Sequence, residues 1–239
     1  MPETSASHDR TMPADTAFAA PFAAFFVALL LLSLFVRTAL MRRQIRHVRA
    51  CRDTVPAAFA ESIALSSHQR AADYTASRMR LTMSEIAVSA LLVLLLTLGG
   101  GLQAIHDAWA TVLSPGSITH GVALLASLGA LGWLIDLPFV LLRTFVIEKR
   151  FGFNRMTAGL FLTDTMREIV LATVIGLPLL GALLWLTTAM GSLWWLWVWA
   201  FWLFFNLLVM LIWPTFIAPL FNRFTPLADP SAAATTVRR

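Results

Sequence analysis

The chain has 239 residues, of which 58% are hydrophobic and only 13% are charged. An average soluble domain has about half apolar and about a quarter charged residues. The apolar residues occur in long blocks separated by charged stretches, which is the distribution that a lipid bilayer requires of helices that cross it. This composition argues against a water-soluble globular domain and predicts an all-α integral membrane protein.

The net charge of +5 does not indicate a nucleic-acid surface, because the arginines stand beside the apolar blocks and lysine is nearly absent. Anionic lipid headgroups are the partners that such juxtamembrane arginines favour. Cys51 is the only cysteine, so neither an internal disulfide nor a multi-cysteine metal site can form. We therefore predict the lipid bilayer as a partner and no nucleic acid.

Five apolar segments are long enough to cross the hydrocarbon, which takes about 20 helical residues. Residues 1–17 have neither the basic lead nor the cleavage site of a removable signal peptide, so we expect them to form an external tail. The third segment exceeds what lipid requires, and from Asp136 onward it is expected to leave the hydrocarbon or to face protein. The predicted spans are residues 18–40, 86–105, 118–147, 169–190 and 193–213, followed after residue 227 by a divergent C-terminal tail, residues 228–239.

Two sequence patterns predict where helices begin. Ser66 to Gln69 has the form of a capping box, which favours a helix that opens there and continues into the second span. Thr165 with Glu168 has the same spacing and predicts the start of the fourth span at about Ile169.

The distribution of basic residues predicts the orientation, because cytoplasmic loops near span ends collect Lys and Arg. With five spans, the first loop, the third loop and the C-terminal tail contain all of the 18 Lys and Arg residues except Arg10. This asymmetry places the N-terminus outside and the C-terminus in the cytoplasm.

No catalytic or metal-binding motif is present in the sequence. A zinc peptidase of the HExxH type needs two histidines one helical turn apart with a glutamate between them, and none of the five histidines has a second at i+4. The GxSxG pattern of serine hydrolases and a phosphate-binding glycine loop are also missing. We therefore predict no catalytic residue, no metal site and no cofactor in this chain.

Asp136 is the most informative acid, since a carboxylate within an apolar stretch costs several kcal/mol unless it is paired, protonated or hydrated. Arg143 follows two helical turns later and so lies on the same helical face. One interpretation is a structural ion pair between them or a contact of Asp136 with the proline-rich tail. The other interpretation is a role that faces substrate in a water-filled space.

The segment that begins with Glu148 combines charge with aromatic rings. Phe151, Gly152, Phe153 and Asn154 follow a charged run, which predicts a compact turn whose rings reach back into protein or lipid. The polar candidates for a substrate-facing or a structural role are therefore Asp136, Arg143, Glu148 and Asn154.

Several motifs resemble the type I CAAX prenyl proteases, which are membrane-spanning zinc metalloendopeptidases. The longest is Pro214 to Asn222, and the first loop agrees through Ala71, Ala72, Asp73 and Tyr74. The resemblance extends over about residues 37 to 227, and the other motifs are Arg46 to Val48, Val55 to Phe59, Asp136 to Phe139, Thr144 to Glu148, Phe151 to Asn154 and Phe224 to Leu227.

The resemblance implies a membrane barrel of seven helices around a water-filled chamber, with a zinc domain that cuts near the C-terminus of prenylated peptides. Its zinc ligands would lie beyond residue 239, so none maps onto this chain, and zinc is implied only for the full-length family. Residues 18–227 would then be the chamber-forming N-terminal membrane domain, inactive alone, with a separate or missing zinc domain as its partner.

Two further expectations accompany this resemblance. We expect the protein in a bacterial inner membrane, where members of the family would act on misfolded or membrane proteins. The alternative function is a non-enzymatic membrane binding or transport module that retained the fold.

Overall fold

The computed structural model describes residues 14–212, with side chains from Ala20 onward. All regular structure in this range is helical, and no strand occurs within it. The motif from Pro214 to Asn222, the remainder of the C-terminal region and residues 1–13 lie outside the described residues.

Eight α-helices follow one another along the described chain. π-helical segments at Leu142–Glu148 and Ala172–Gly176 join α4 to α5 and α6 to α7, so that each pair forms one continuous helical segment. The helices are α1 (Ala14–Ala50), α2 (Leu65–Thr97), α3 (Gly101–Ala110), α4 (Ile118–Leu141), α5 (Lys149–Phe151), α6 (Ala158–Leu171), α7 (Leu177–Ala189) and α8 (Trp194–Ile212).

Five of these helical segments are long and apolar enough to cross a membrane, which confirms the predicted all-α fold with five spans. The first four have 31, 33, 34 and 32 residues, whereas the hydrocarbon takes only about 20. These helices therefore continue past the length that lipid requires. The segments are Ala20–Ala50, Leu65–Thr97, Ile118–Phe151, Ala158–Ala189 and Gly191–Ile212.

The helix boundaries differ from the predicted ones for local reasons. The second spanning helix ends at Thr97 because Gly100 adopts a left-handed conformation (φ 75°), which only glycine accepts without strain, and α3 then starts anew. Its start is not capped by Ser66, which lies inside the first turn, and Ala64 holds the N-cap position without a side-chain bond.

The start of the fourth spanning helix also lies earlier than predicted. Thr157 is the N-cap of α6, and its hydroxyl oxygen accepts a hydrogen bond from the backbone N–H of Leu160 at 3.2 Å. Thr165 is buried within α6 and does not begin it. The cap position was therefore assigned to the wrong threonine, because the polar stretch before Ile169 is itself helical.

The chain divides into two compact units. The described part of the first comprises residues 14–115 and 123–156, and that of the second comprises residues 116–122 and 157–212. In the first unit, α1 and α2 form an antiparallel pair that contains buried Ile45, Ala72 and Ala76. The two alanines lie one turn apart, and small residues at this spacing let helices approach closely.

In the second unit, the first turn of α4 packs against α7. A Cβ atom added to Gly121 would lie 2.8 Å from Cδ1 of Leu184, so the missing side chain makes room for that leucine. The π-helical segment that precedes α7 ends two residues before Pro178. Such widened turns accommodate a proline, which cannot donate a backbone hydrogen bond.

The sidedness of the membrane helices remains a prediction, and Cys51 offers a direct test. This sole cysteine is free and exposed in the connection between α1 and α2, which the charge asymmetry places in the cytoplasm. A membrane-impermeant maleimide should label the chain in inside-out vesicles and leave it unlabelled in right-side-out vesicles.

The matched control moves the thiol to the other side. A Cys51→Ser, Ser114→Cys chain carries its thiol in the exposed turn between α3 and α4 and should show the reverse labelling. Labelling of both chains from the same side would contradict the predicted topology.

Candidate functional site

The strongest polar and aromatic contacts of the first unit converge on helix α2. Three parts of the chain bind to it in order along its length: the turn after α1, the turn after α5 and the π-helical segment Leu142–Glu148. Because all three parts of the chain contact the same helix, α2 determines where the side chains of these parts lie.

The turn after α1 is held by an arginine–carboxylate pair. Nε and Nη2 of Arg52 donate to the two carboxylate oxygens of Asp73 at 3.0 and 2.9 Å, and Nη1 donates to Asp53 at 3.0 Å. This two-pronged geometry is the strongest form of arginine–carboxylate contact. The hydrogen bonding of the guanidinium to Asp73 is the main reason why the pKa of Arg52 is raised above its ordinary value.

The same turn is also tied to the start of α2. The side-chain amide of Gln69 donates to Asp53 at 2.8 Å, and Nε2 of His68 lies 2.9 Å from the carbonyl oxygen of Cys51. The polar residues around Ser66 to Gln69 therefore fasten the preceding loop, which is a different role from the predicted capping box.

The turn after α5 is a Schellman motif, in which backbone N–H groups satisfy the last carbonyls of a helix. Phe153 N–H donates to the carbonyl of Glu148 at 2.9 Å, and Gly152 N–H donates to that of Lys149 at 3.2 Å. Gly152 has φ 77°, the left-handed conformation that this motif places after the helix. The turn projects Phe151 and Phe153 on either side of this glycine.

Both phenylalanine rings pack edge-on against Tyr74 of α2. The ring centroids lie 5.7 Å apart for Phe151 and 4.9 Å apart for Phe153, at interplanar angles of 74° and 70°. Such edge-to-face pairs are favourable because the positive ring edge meets the negative ring face. The rings were predicted to reach back into protein or lipid, and they contact protein.

Arg143 forms an ion pair, but its partner is Glu85 rather than Asp136. Nη2 of Arg143 lies 2.8 Å from Oε2 of Glu85, and the two side chains are 28% and 26% exposed. The predicted Asp136–Arg143 pair was therefore wrong. The predicted pair assumed uniform α-helical spacing between Asp136 and Arg143, but the π-helical segment that contains Arg143 interrupts this spacing. Glu85 on α2 lies within contact distance of Arg143 instead.

The four predicted polar candidates do not come together in one site. Asp136 is exposed and forms no hydrogen bond or ion pair with any residue in the range 14–212. Glu148 contributes its backbone carbonyl to the Schellman motif, and the side-chain oxygen of Asn154 accepts a hydrogen bond from Met156 N–H at 2.6 Å. Arg143, Glu148 and Asn154 thus have structural contacts, while Asp136 has none within residues 14–212.

Sequence reasoning missed Glu85 and assigned no role to Tyr74. Glu85 is an acid directly before an apolar block, and a charge at that place should have prompted a search for a basic partner on another helix. Tyr74 is the only tyrosine of the chain, and it was noted only as part of the family motif in the first loop.

No group of three or more His, Cys, Asp or Glu side chains is placed to hold a metal ion within residues 14–212. Together with the lack of an HExxH motif in the sequence, the residues present do not fit the zinc site that the resemblance implies. We therefore assign no catalytic step to a metal in this chain.

Comparison with known proteins identifies the family. The family described as CAAX prenyl protease N-terminal, with five membrane helices, matches residues 44–223. The probable CAAX prenyl protease 1 of Schizosaccharomyces pombe is 28% identical over 204 residues, which is 80% of this chain and 43% of that protein. The CAAX prenyl protease 1 homolog of Arabidopsis thaliana is 39% identical over 112 residues, 47% of this chain and 26% of the relative.

The fold is also found in a solved structure. The crystal structure of S. mikatae Ste24p superposes with a TM-score of 0.77 at 24% identity, covering 88% of this chain and 51% of that one. The chain spans less than half the length of the two curated relatives. Both relatives are eukaryotic, so they give no support to the bacterial inner membrane expected from the sequence.

The family match covers most of the chain, and both the number of membrane helices and the fold agree with it. The protein is therefore an integral multi-pass membrane protein that belongs to the CAAX prenyl protease family and carries its N-terminal membrane domain.

Proposed function

We propose that this chain serves as the membrane domain of a CAAX-type protease, which receives prenylated or membrane-associated peptides, and that hydrolysis needs a zinc-binding part outside these residues. The continuous family match over residues 44–223 carries the proposal. By itself, the 239-residue polypeptide hydrolyses no peptide, because its sequence lacks the HExxH motif that would bind zinc and activate water.

The contacts with α2 support a scaffolding role for most of the polar residues. Glu85 and Tyr74 lie three turns apart on α2, and they fix the segment from Arg143 to Phe153 at both of its ends. A segment that is held at two points presents its remaining side chains in one orientation. A fixed orientation of this kind favours the binding of an extended peptide. The membrane domain would therefore position substrate without reacting with it.

Asp136 is the residue that we propose faces the substrate. Its carboxylate is exposed and has no partner in the range 14–212, whereas Arg143 has an ion pair. An acid within an apolar helix that is not paired must be hydrated or protonated. This fits the water-filled interpretation of Asp136 better than an ion pair with Arg143.

The proposal is tested by a chimaera, in which residues 44–223 of this chain replace the matching region of the S. pombe relative. The chimaera should cleave a farnesylated CAAX peptide, and the purified 239-residue chain should neither cleave it nor retain stoichiometric zinc after dialysis against a weak chelator. The control is the same chimaera in which the glutamate of the HExxH motif that the family resemblance implies for its catalytic part is changed to Gln, which should be inactive.

Two results would contradict the proposal. Cleavage by the isolated chain above the level of the inactive chimaera would show that the zinc part is not needed. A chimaera that inserts into membranes and binds zinc but cleaves nothing would favour the non-enzymatic membrane module instead.

A further inference from the structure

A cleft between α1 and α2 has an unusual distribution of charge. Its volume is about 650 Å³, and it is open to the surroundings of the two helices. The α1 side is one helical face, because its residues recur at intervals of three and four positions. The lining includes Phe35, Arg42, Arg46 and Arg49 on α1, and Arg80 and Met83 on α2. We name this cleft the arginine cleft.

The four guanidinium groups of the arginine cleft have no matching acid. No Asp or Glu lines the cleft, and none of the four arginines forms an ion pair within residues 14–212. Asp73 interacts electrostatically with Arg49, but the Asp73 carboxylate is already bound by Arg52. Four like charges in one cleft repel one another unless an anion is present.

The polarity of the cleft changes along its length. From Phe35 to Arg49, α1 rises about 21 Å, and the residues change from apolar to basic in that direction. Phe35 is 68% exposed, and Met83 lies on the opposite wall. The hydropathy of the sequence ends the first span close to Arg42, so the change in polarity coincides with the expected boundary between hydrocarbon and headgroups.

We propose that the arginine cleft binds one anionic phospholipid, with its phosphodiester among Arg42, Arg46 and Arg80 and its acyl chains beside Phe35 and Met83. Arginine suits this ligand because its planar fork donates two hydrogen bonds to phosphate oxygens. Basic pockets between membrane helices are typical sites for anionic headgroups.

A soluble anion would satisfy the charges equally well but would leave the apolar part of the cleft uncovered. A zwitterionic lipid would cover the apolar part but would bring a choline cation next to the arginines. Only an amphiphile with a net negative headgroup complements both parts. The cleft therefore distinguishes lipids by headgroup charge rather than by acyl chain.

The test is native mass spectrometry of the full chain in neutral detergent, with dioleoylphosphatidylglycerol and dioleoylphosphatidylcholine added in equal amounts. The wild-type chain should retain one phosphatidylglycerol in preference to phosphatidylcholine. In the Arg42→Gln, Arg46→Gln chain, affinity for phosphatidylglycerol should fall about tenfold or more, because each substitution removes charge-assisted hydrogen bonds to the phosphodiester.

The matched control removes the same charge from the same helix. Arg37 and Arg43 are exposed on α1 and do not line the arginine cleft, so the Arg37→Gln, Arg43→Gln chain should retain the lipid as the wild-type chain does. An equal loss in both chains would show a diffuse surface charge and would overturn the proposal.

Two measurements on the wild-type chain do not depend on the folding of a variant. Equal retention of the two lipids would overturn the proposal. If millimolar inorganic phosphate instead displaced phosphatidylglycerol and stabilised the chain against heat as much as the lipid does, the cleft would be assigned to a soluble anion. That result would also overturn the proposal. Retention that persists in the presence of phosphate supports the lipid.

Discussion

Removing either partner of the Glu85–Arg143 ion pair is expected to destabilise the folded chain by about 2 kcal/mol. Losing one member of a fully buried pair costs about 3–5 kcal/mol because the other charge is left without a partner. Here each side chain is about a quarter exposed, so water recovers part of that cost. Glu85 is the more sensitive position, since its removal leaves unpaired an arginine whose Nε is already buried without a hydrogen-bond partner within residues 14–212.

A double-mutant cycle measures this coupling directly. Glu85→Ala, Arg143→Ala and the double variant are compared by unfolding with SDS in mixed micelles. The double variant should lose less than the sum of the two single losses, by about 1 kcal/mol or more, because the second substitution removes a charge that the first has already left unpaired. Additive losses would mean that the 2.8 Å contact contributes nothing.

Two controls accompany the cycle. Arg167→Ala breaks a pair within one helix whose arginine is 44% exposed, and such pairs contribute only about 0.2–0.5 kcal/mol. Asp136→Asn should leave stability unchanged, because Asp136 is not the partner of Arg143. If Asp136→Asn lowered the free energy of unfolding as much as Glu85→Ala does, the Asp136–Arg143 pair predicted from the sequence would be supported after all.

Replacing Tyr74 by Ala is expected to cost about 2–3 kcal/mol. Each edge-to-face ring pair contributes about 0.5–1.5 kcal/mol beyond the burial of its area, and this one side chain forms two such pairs, with Phe151 and Phe153. The turn around Gly152 would then remain attached only through its own backbone bonds and the ion pair at Arg143. The same unfolding assay gives the loss.

Tyr74→Phe is the matched control. The tyrosine hydroxyl forms no hydrogen bond within residues 14–212, so a phenylalanine ring should keep both ring pairs and nearly all of the stability. Limited proteolysis adds a local measurement, because cleavage after Lys149, Arg150 or Arg155 should accelerate in the Ala chain alone. Equal stability of the Ala and Phe chains would contradict a role for the rings.

Part of the site was predictable because it depends on local sequence. Phe151, Gly152 and Phe153 follow a charged helix end, and an aromatic pair around a glycine favours a turn that returns to protein. The need of Arg143 for a partner was also foreseeable, since a charge near the hydrocarbon is costly without one. Both expectations rest on the properties of a single short segment.

The identity of the partners was not predictable in the same way. Glu85 is separated from Arg143 by 58 positions and Tyr74 lies on the same distant helix. Helical periodicity ranks neighbours only along one helix, and the π-helical segment that contains Arg143 changes even that spacing. For this reason the sequence pattern placed Asp136 closer to Arg143 than the structure does.

The sequence by itself determined that the chain is an all-α membrane protein with five spans, because the cost of burying polar groups in hydrocarbon applies to each segment independently. The tertiary structure decided that α2 receives Arg52, Arg143 and the Phe151–Phe153 turn. It also decided that α1 and α2 form an open cleft lined by four arginines without an ion pair within residues 14–212. These arrangements depend on which helices pack together, and packing is set by the shapes of many side chains at once rather than by the hydropathy of any one segment.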